Sequence, residues 1–279
     1  MDNWLHNLPI IGMAVLVCGV TYLIAGAIYA VVRVLATGER AHAFKAVTPG
    51  ILSPLGTLFG LFVVFTAVQV WNDNDRANAA VNREASALRV VVILADIFPG
   101  EPRTRLRALI RGHIEEAAIQ EWPMMAEQTA TMNSTPRYFA EALQVTLALT
   151  PNGQGQQIAQ REIATRLQDA LDARDQRILI SLSEVSLTKW SFLFAQALCV
   201  MIVFALVHSD NPLAATITMG VFATGVAASV VMILAYDRPF IGQLAIGPGA
   251  LMQAMPEAEA SQVLDPQAGF QLGNHGASR

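Results

Sequence analysis

Residues 50–94 read GILSPLGTLFGLFVVFTAVQVWNDNDRANAAVNREASALRVVVIL. As far as Trp71 the run is apolar and uncharged. Beyond it come charges and amides, yet Val81, Ala85, Leu88, Val92 and Ala95 recur at helical spacing. Neither Gly nor Pro occurs between Gly60 and Pro99, so nothing stops a helix that leaves a bilayer and continues into water. At 1.5 Å per residue such a helix runs on the order of 60 Å. The fold class that follows is all-α, an integral membrane protein.

The rest of the chain repeats this contrast. Of 279 residues, 53% are hydrophobic and 14% charged, whereas soluble domains carry about a quarter charged. Charges are absent from long runs at about 8–32, 50–71, 190–208 and 212–236. Each is close to or above the roughly 20 residues that cross a bilayer. The expected organisation is two transmembrane pairs with a helical extramembrane domain inserted between them. Residues 1–71 form the first hairpin, 72–188 the domain and 189–238 the second hairpin. Residues 239–279 are read as an interfacial segment and a disordered tail. The opening MDNWLHNLPIIG lacks a basic region and a cleavage site, so the first run reads as a retained span.

Between the spans, the block reads as helices. One starts near Pro102 and places Leu106, Ile110, Ile114 and Ala117 on one face, with Pro123 expected to kink or split it. Thr135-Pro136 is expected to cap a short helix reaching about Leu149, and PNGQG is expected to be a loop. A last helix carries Ile163, Leu167, Leu171, Ile178, Leu182 and Val185, and is expected to run without a break into the third span. Asn211-Pro212 reads as the cap and first turn of the fourth.

A net charge of −4 gives no reason for a nucleic-acid partner. Cys18 and Cys199 lie in apolar runs, and the histidines are scattered without ligand spacing, so neither a disulfide scaffold nor a metal site is implied. There is no nucleophile elbow, phosphate loop or dinucleotide fingerprint, so neither an enzyme nor a cofactor is expected. The spans carry no Asp, Glu, Lys or Arg, which argues against proton relays and many transport mechanisms. The implied partner is the lipid bilayer. The loop from Arg33 to Gly50 holds Arg33, Arg40 and Lys45 against Glu39. By the positive-inside rule it faces the cytoplasm, with the N-terminus and the helical domain outside.

Two paired spans flanking a helical block, the stretches GTLFGLFVVFTAVQ and AAVNREASAL, and the Asp237-Arg238-Pro239-Phe240 run with Gly242 together carry a resemblance. The chain resembles the bestrophin-like domain family of bacterial membrane proteins over about residues 8–255. The family's name implies a relation to bestrophins, pentameric anion channels with an apolar neck. The resemblance therefore implies a homo-oligomeric channel passing small anions.

Candidate site residues follow from pattern. Leu55, Phe59, Phe62, Thr66, Gln69, Asp73 and Arg76 recur at steps of three and four, from apolar through amide to charged. A ring of such helices makes an apolar constriction opening into a polar vestibule. The alternative is that Phe59 and Phe62 pack against the first span or lipid, while the polar end marks the exit to water. Glu84 stands among Ala80, Ala85 and Ala87 on a core-facing helix, and is expected to meet Arg174 or Arg177. Asp237, Arg238, Pro239 and Phe240, with Gly242, read as a hinge after the fourth span, Phe240 entering the membrane interface. Arg103, Arg105, Arg107 and Arg111 attract anions or lie on a solvated face offset by Glu115 and Glu116. Two functions fit: an anion channel with the second span at its constriction, or a non-conducting sensor or scaffold whose helical block binds a partner.

Overall fold

In the computed structural model, which describes residues 8–35, 49–132 and 136–257, all regular elements are helical. The basic loop on which the membrane orientation rests, Thr135 and the tail after Glu257 lie outside the described residues. Helix α1 spans Ile10–Leu35. After one 3₁₀ turn at Pro49–Ile51, α2 runs from Leu52 to Ala95, 44 residues without interruption. Helix α3 is Glu101–Glu116, followed by a π segment at Ala117–Glu121 and by α4, Trp122–Ala126. Then come α5, Arg137–Ala148, and α6, Gln154–Ser181. Helices α7, Leu187–Val207, and α8, Pro212–Tyr236, precede the one-turn α9, Gly249–Met252.

Helices α1, α2, α7 and α8 each hold a stretch long and apolar enough to cross a membrane. Their buried faces form one hydrophobic cluster, from Met13 and Val17 on α1 to Val200 on α7 and Ala223, Ala227 and Ile233 on α8. The principal partner of α8 is α1 rather than its sequence neighbour α7. Tyr22 and Thr224 share a 2.6 Å hydrogen bond across that contact.

A second cluster gathers the far half of α2 with α3 to α6. Here α2 and α6 make the most extensive helix pair of the molecule, antiparallel and side by side. The turn Phe98-Pro99-Gly100 ends the long helix, with Gly100 at φ 93°. At Pro123 the expected split takes the form of a π segment between α3 and α4. Proline has no N–H and its ring crowds the carbonyl four residues back. The chain answers with a widened turn, in which the Trp122 N–H reaches the Ala117 carbonyl. At Gly112 a β-carbon would sit 2.5 Å from the Tyr138 ring, so glycine permits α3 to approach α5.

The structure corrects three expectations. The PNGQG stretch is not all loop, because Gln154 and Gly155 already belong to the first turn of α6. The last helix of the block does not run into the third span. It ends at Ser181, and the chain restarts at Ser186, whose hydroxyl accepts the Lys189 N–H as an N-cap. Phe240, expected to enter the membrane interface, is instead buried with Leu251 and Ala254 in the cluster of the helical block.

Candidate functional site

The stripe expected to line a constriction is turned inward. Phe59 is 8% exposed and packs its ring 5.4 Å from Phe222 of α8. Thr66 is 4% exposed, and its hydroxyl is occupied by the Phe62 carbonyl at 2.9 Å. Leu55, Phe62, Gln69 and Asp73 are half-buried, and Gln69 accepts from Lys189 of α7. Only Arg76 stands clear, with Asp73 3.7 Å away. Phe59 and Thr66 are covered by helices of their own chain, and with Gln69 they form part of the seam that joins α2 to α7 and α8.

The free face of α2 lies on the other side. Leu58, Leu61, Phe65 and Val68 are 45–64% exposed. At about 100° per residue they share a face centred near Leu61, roughly a third of a turn or more from Phe59 and Thr66. The same face continues past Trp71 through Asn72, Ala79, Asn82 and Ser86, all exposed. One unpartnered stripe thus follows the helix for most of its length, apolar first and then polar.

Behind that stripe, the far half of α2 is anchored by a buried ion network. Glu84 is fully buried, and so is Arg177 of α6. Arg177 donates through Nε and Nη2 to the two Glu84 oxygens at 2.9 and 3.2 Å, and through Nη2 to Glu121 at 2.8 Å. Arg174 donates to the other Glu121 oxygen at 2.7 Å. Of the two arginines considered for Glu84, Arg177 is the one it meets. Burial alone pushes the Glu84 carboxyl up, but the Arg177 charge together with the His113 hydrogen bond outweighs it, and the group is held below its ordinary value. An ionised carboxylate only accepts, so His113 Nε2, 2.8 Å away, is the donor. The guanidinium also lies over the Trp122 ring, 4.4 Å from its centroid. Nothing in the sequence signalled His113; a lone histidine at no special spacing reads like any other.

Asp237 to Gly242 form a latch at the membrane exit. The Asp237 carboxylate accepts the Val185 N–H at 2.7 Å, inside the break between α6 and α7. Next to it, Arg238 donates to Glu184 at 2.7 Å. Burial raises the Asp237 carboxyl, the Val185 N–H opposes it and nearby Glu184 adds to it, leaving it at about 6. Pro239 follows the end of α8, and its carbonyl receives the Ile246 N–H at 2.8 Å. Phe240 does not enter the interface. It stands edge-on to Trp122, whose indole N–H bonds the Ile246 carbonyl at 2.9 Å. Gly242 adopts φ 91°, a backbone region that disfavours other residues.

The arginines of α3 are occupied. Arg103 and Arg107 lie 3.1 and 3.4 Å from Asp96 at the end of α2, Arg105 3.7 Å from Glu101, and Arg111 3.8 Å from Glu115. Arg111 also donates to the Pro256 carbonyl, fastening the end of the described chain. Among the described residues, no group of His, Cys, Asp and Glu is placed to hold a metal ion.

These features define an all-helical integral membrane protein in which one span and a helical block are built on a single long helix. The chain belongs to the bestrophin-like domain family, whose model matches residues 19–251. The fold is similar to a crystal structure of a bacterial bestrophin homologue from Klebsiella pneumoniae carrying a point mutation. That match has a TM-score of 0.65 and 11% identity, over 87% of this chain and 96% of the other. No curated protein matches the sequence.

Proposed function

We propose that this chain is the subunit of a homo-oligomeric membrane ion channel in which α2 lines the conduit. The observation that carries the reading is the unpartnered stripe along α2, apolar at Leu58, Leu61, Phe65 and Val68 and polar from Asn72 onward. A ring of such helices would make a dry constriction within the bilayer and a wet vestibule beyond it. Membership of the family supports the choice of a channel over a sensor or scaffold. Small anions are the first ions to test, because the resemblance implies bestrophins, which conduct them. In this reading residues 1–71 and 189–238 are membrane hairpins, and 72–188 form a domain outside the bilayer with residues 239–257 packed on it.

The test is conductance in planar bilayers. Leu61→Ser makes the constriction polar, admits water and raises current. Phe59→Ala opens a cavity between α2 and α8 instead, costs roughly 3–5 kcal/mol and adds no current. A folded wild type and a folded Leu61→Ser that are both silent would reject the channel. A gain from Phe59→Ala without loss of stability would return the constriction to the inward stripe.

A further inference from the structure

The free stripe of α2 has two unlike flanks. Taking about 100° per residue and Leu61 as the centre, Asp75 lies about 40° to one side and Arg76 about 60° to the other. Both are exposed, Arg76 to 68% of its side chain. They are chain neighbours, so their heights along the helix differ by only about 1.5 Å. Further out, exposed Arg89 lies on the Asp75 flank, about 80° from the centre. On the Arg76 flank the antiparallel helix α6 stands beside α2. The Glu84–Arg177 contact fixes their register, which brings Asp172 close to the height of Arg89. Asp172 is exposed, and with Asp169, Arg83 and Arg166 it lines a polar groove of about 350 Å³ between α2 and α6. One flank therefore reads acid at Asp75 then base at Arg89 with distance from the membrane, and the other reads base at Arg76 and Arg83, then acid at Asp172 and at Asp169, the last paired with Arg166.

In a cyclic assembly all copies keep the same height along the axis, and one flank of each copy meets the opposite flank of the next. We propose that the partner of this face is a second copy of the chain, docked so that Asp75 of one copy faces Arg76 of the next and Arg89 of one copy enters the groove at Asp172 of the next. This rests on the channel reading, which places α2 around the axis, and adds the register and direction of the ring. The two layers have opposite polarity, so a copy slid by the distance between them would set like charges together. Charge pairs of this kind select the correct alignment more than they add affinity. The Asp73 contact of Arg76, 3.7 Å long at an exposed rim, is a weak competitor.

The experiment uses the full chain with Cys18 and Cys199 replaced by serine. A variant carrying both Asp75→Cys and Arg76→Cys, oxidised in native membranes, should give a covalent ladder rising to the full ring, and neither single cysteine should give it. In mild detergent, Asp75→Arg should lower the assembled fraction several-fold, and adding Arg76→Asp should restore it. Arg89→Glu should likewise be rescued by Asp172→Arg. If the wild type forms a ring with an axial path, yet the ladder is absent and reversal leaves assembly intact, the register is wrong and the channel reading stands. If the wild type is monomeric in both detergent and lipid discs, the proposal and the channel reading fail together.

Discussion

Glu84 and Asp237 are both buried carboxylates, and their surroundings shift them in opposite directions. Glu84 is held down, so the stability it contributes is present above the ordinary carboxylate value of 4.5 and is lost as pH falls through its lower folded value. Asp237 is raised from 3.8 to about 6, so the folded state binds its proton more tightly than the unfolded chain does. Its contribution is largest in acid and is lost as pH rises from about 4 through 6. A shift of that size is on the order of 3 kcal/mol. Asp237→Asn keeps an oxygen for the Val185 N–H and removes the charge. The variant should melt above wild type at pH 7, with the gap closing as the pH is lowered to 4; a gap that ignores pH would show that Asp237 does not titrate in this window. Glu84→Ala leaves two buried guanidiniums facing one partly exposed carboxylate, which costs about 3–5 kcal/mol and should lower the melting temperature in detergent by roughly 10 °C. A shift of only a degree or two would mean that water solvates the network. The sequence did point to Glu84, since a carboxylate among small residues on a core-facing helix needs a partner. It did not point to His113, because that requirement carries no information about a third group.

At the level of elements, α2 was legible from end to end because a helix interior free of Gly and Pro has few other readings. The break between α6 and α7 was not. Leu182-Ser183-Glu184-Val185 contains no breaker, and the chain is held out of helix there by distant groups, Asp237 on the Val185 N–H and Arg238 on Glu184. Long-range capture of a backbone donor leaves no local trace in sequence. The burial of Phe240 was illegible for a related reason: Phe240, Leu251 and Ala254 look the same whether they meet lipid or the block. Gly242 offers a test of the latch as a unit. At φ 91° an added β-carbon costs about 1–2 kcal/mol, so Gly242→Ala should destabilise the protein by that amount. It should also increase proteolysis at the 182–186 break, 56 or more residues away in sequence, because the turn that seats Phe240 against Trp122 is the one that holds Asp237 in place. Unaltered cleavage at the break would separate the turn from the latch.

For the molecule as a whole, hydropathy located the spans but not their faces. In water the apolar side of a helix is the buried side, whereas in lipid both sides are apolar, and periodicity loses its power to tell seam from surface. That is why the Phe59–Thr66 stripe reads as well as the Leu61 stripe from sequence, and only the packing of α8 separates them. The side of the membrane on which each connection lies is a different matter, because it follows from the number of crossings. If α1, α2, α7 and α8 each cross once, the connection after α1 and the connection between α7 and α8 share one side, and α3 to α6 occupy the other. Single cysteines at His42→Cys, Asp210→Cys and Arg105→Cys, in a chain lacking Cys18 and Cys199, report all three. With a membrane-impermeant reagent, positions 42 and 210 should label together, and position 105, on a residue with 56% of its side chain exposed, only from the opposite face. By the positive-inside rule, the cations Arg33, Arg40 and Lys45 lead us to expect the shared side to be the cytoplasm. Labelling of 42 and 210 from the periplasm would reverse that assignment and leave the two hairpins intact, whereas labelling of 42 and 105 from one side would remove α2 from the list of spans and with it the conduit built on α2.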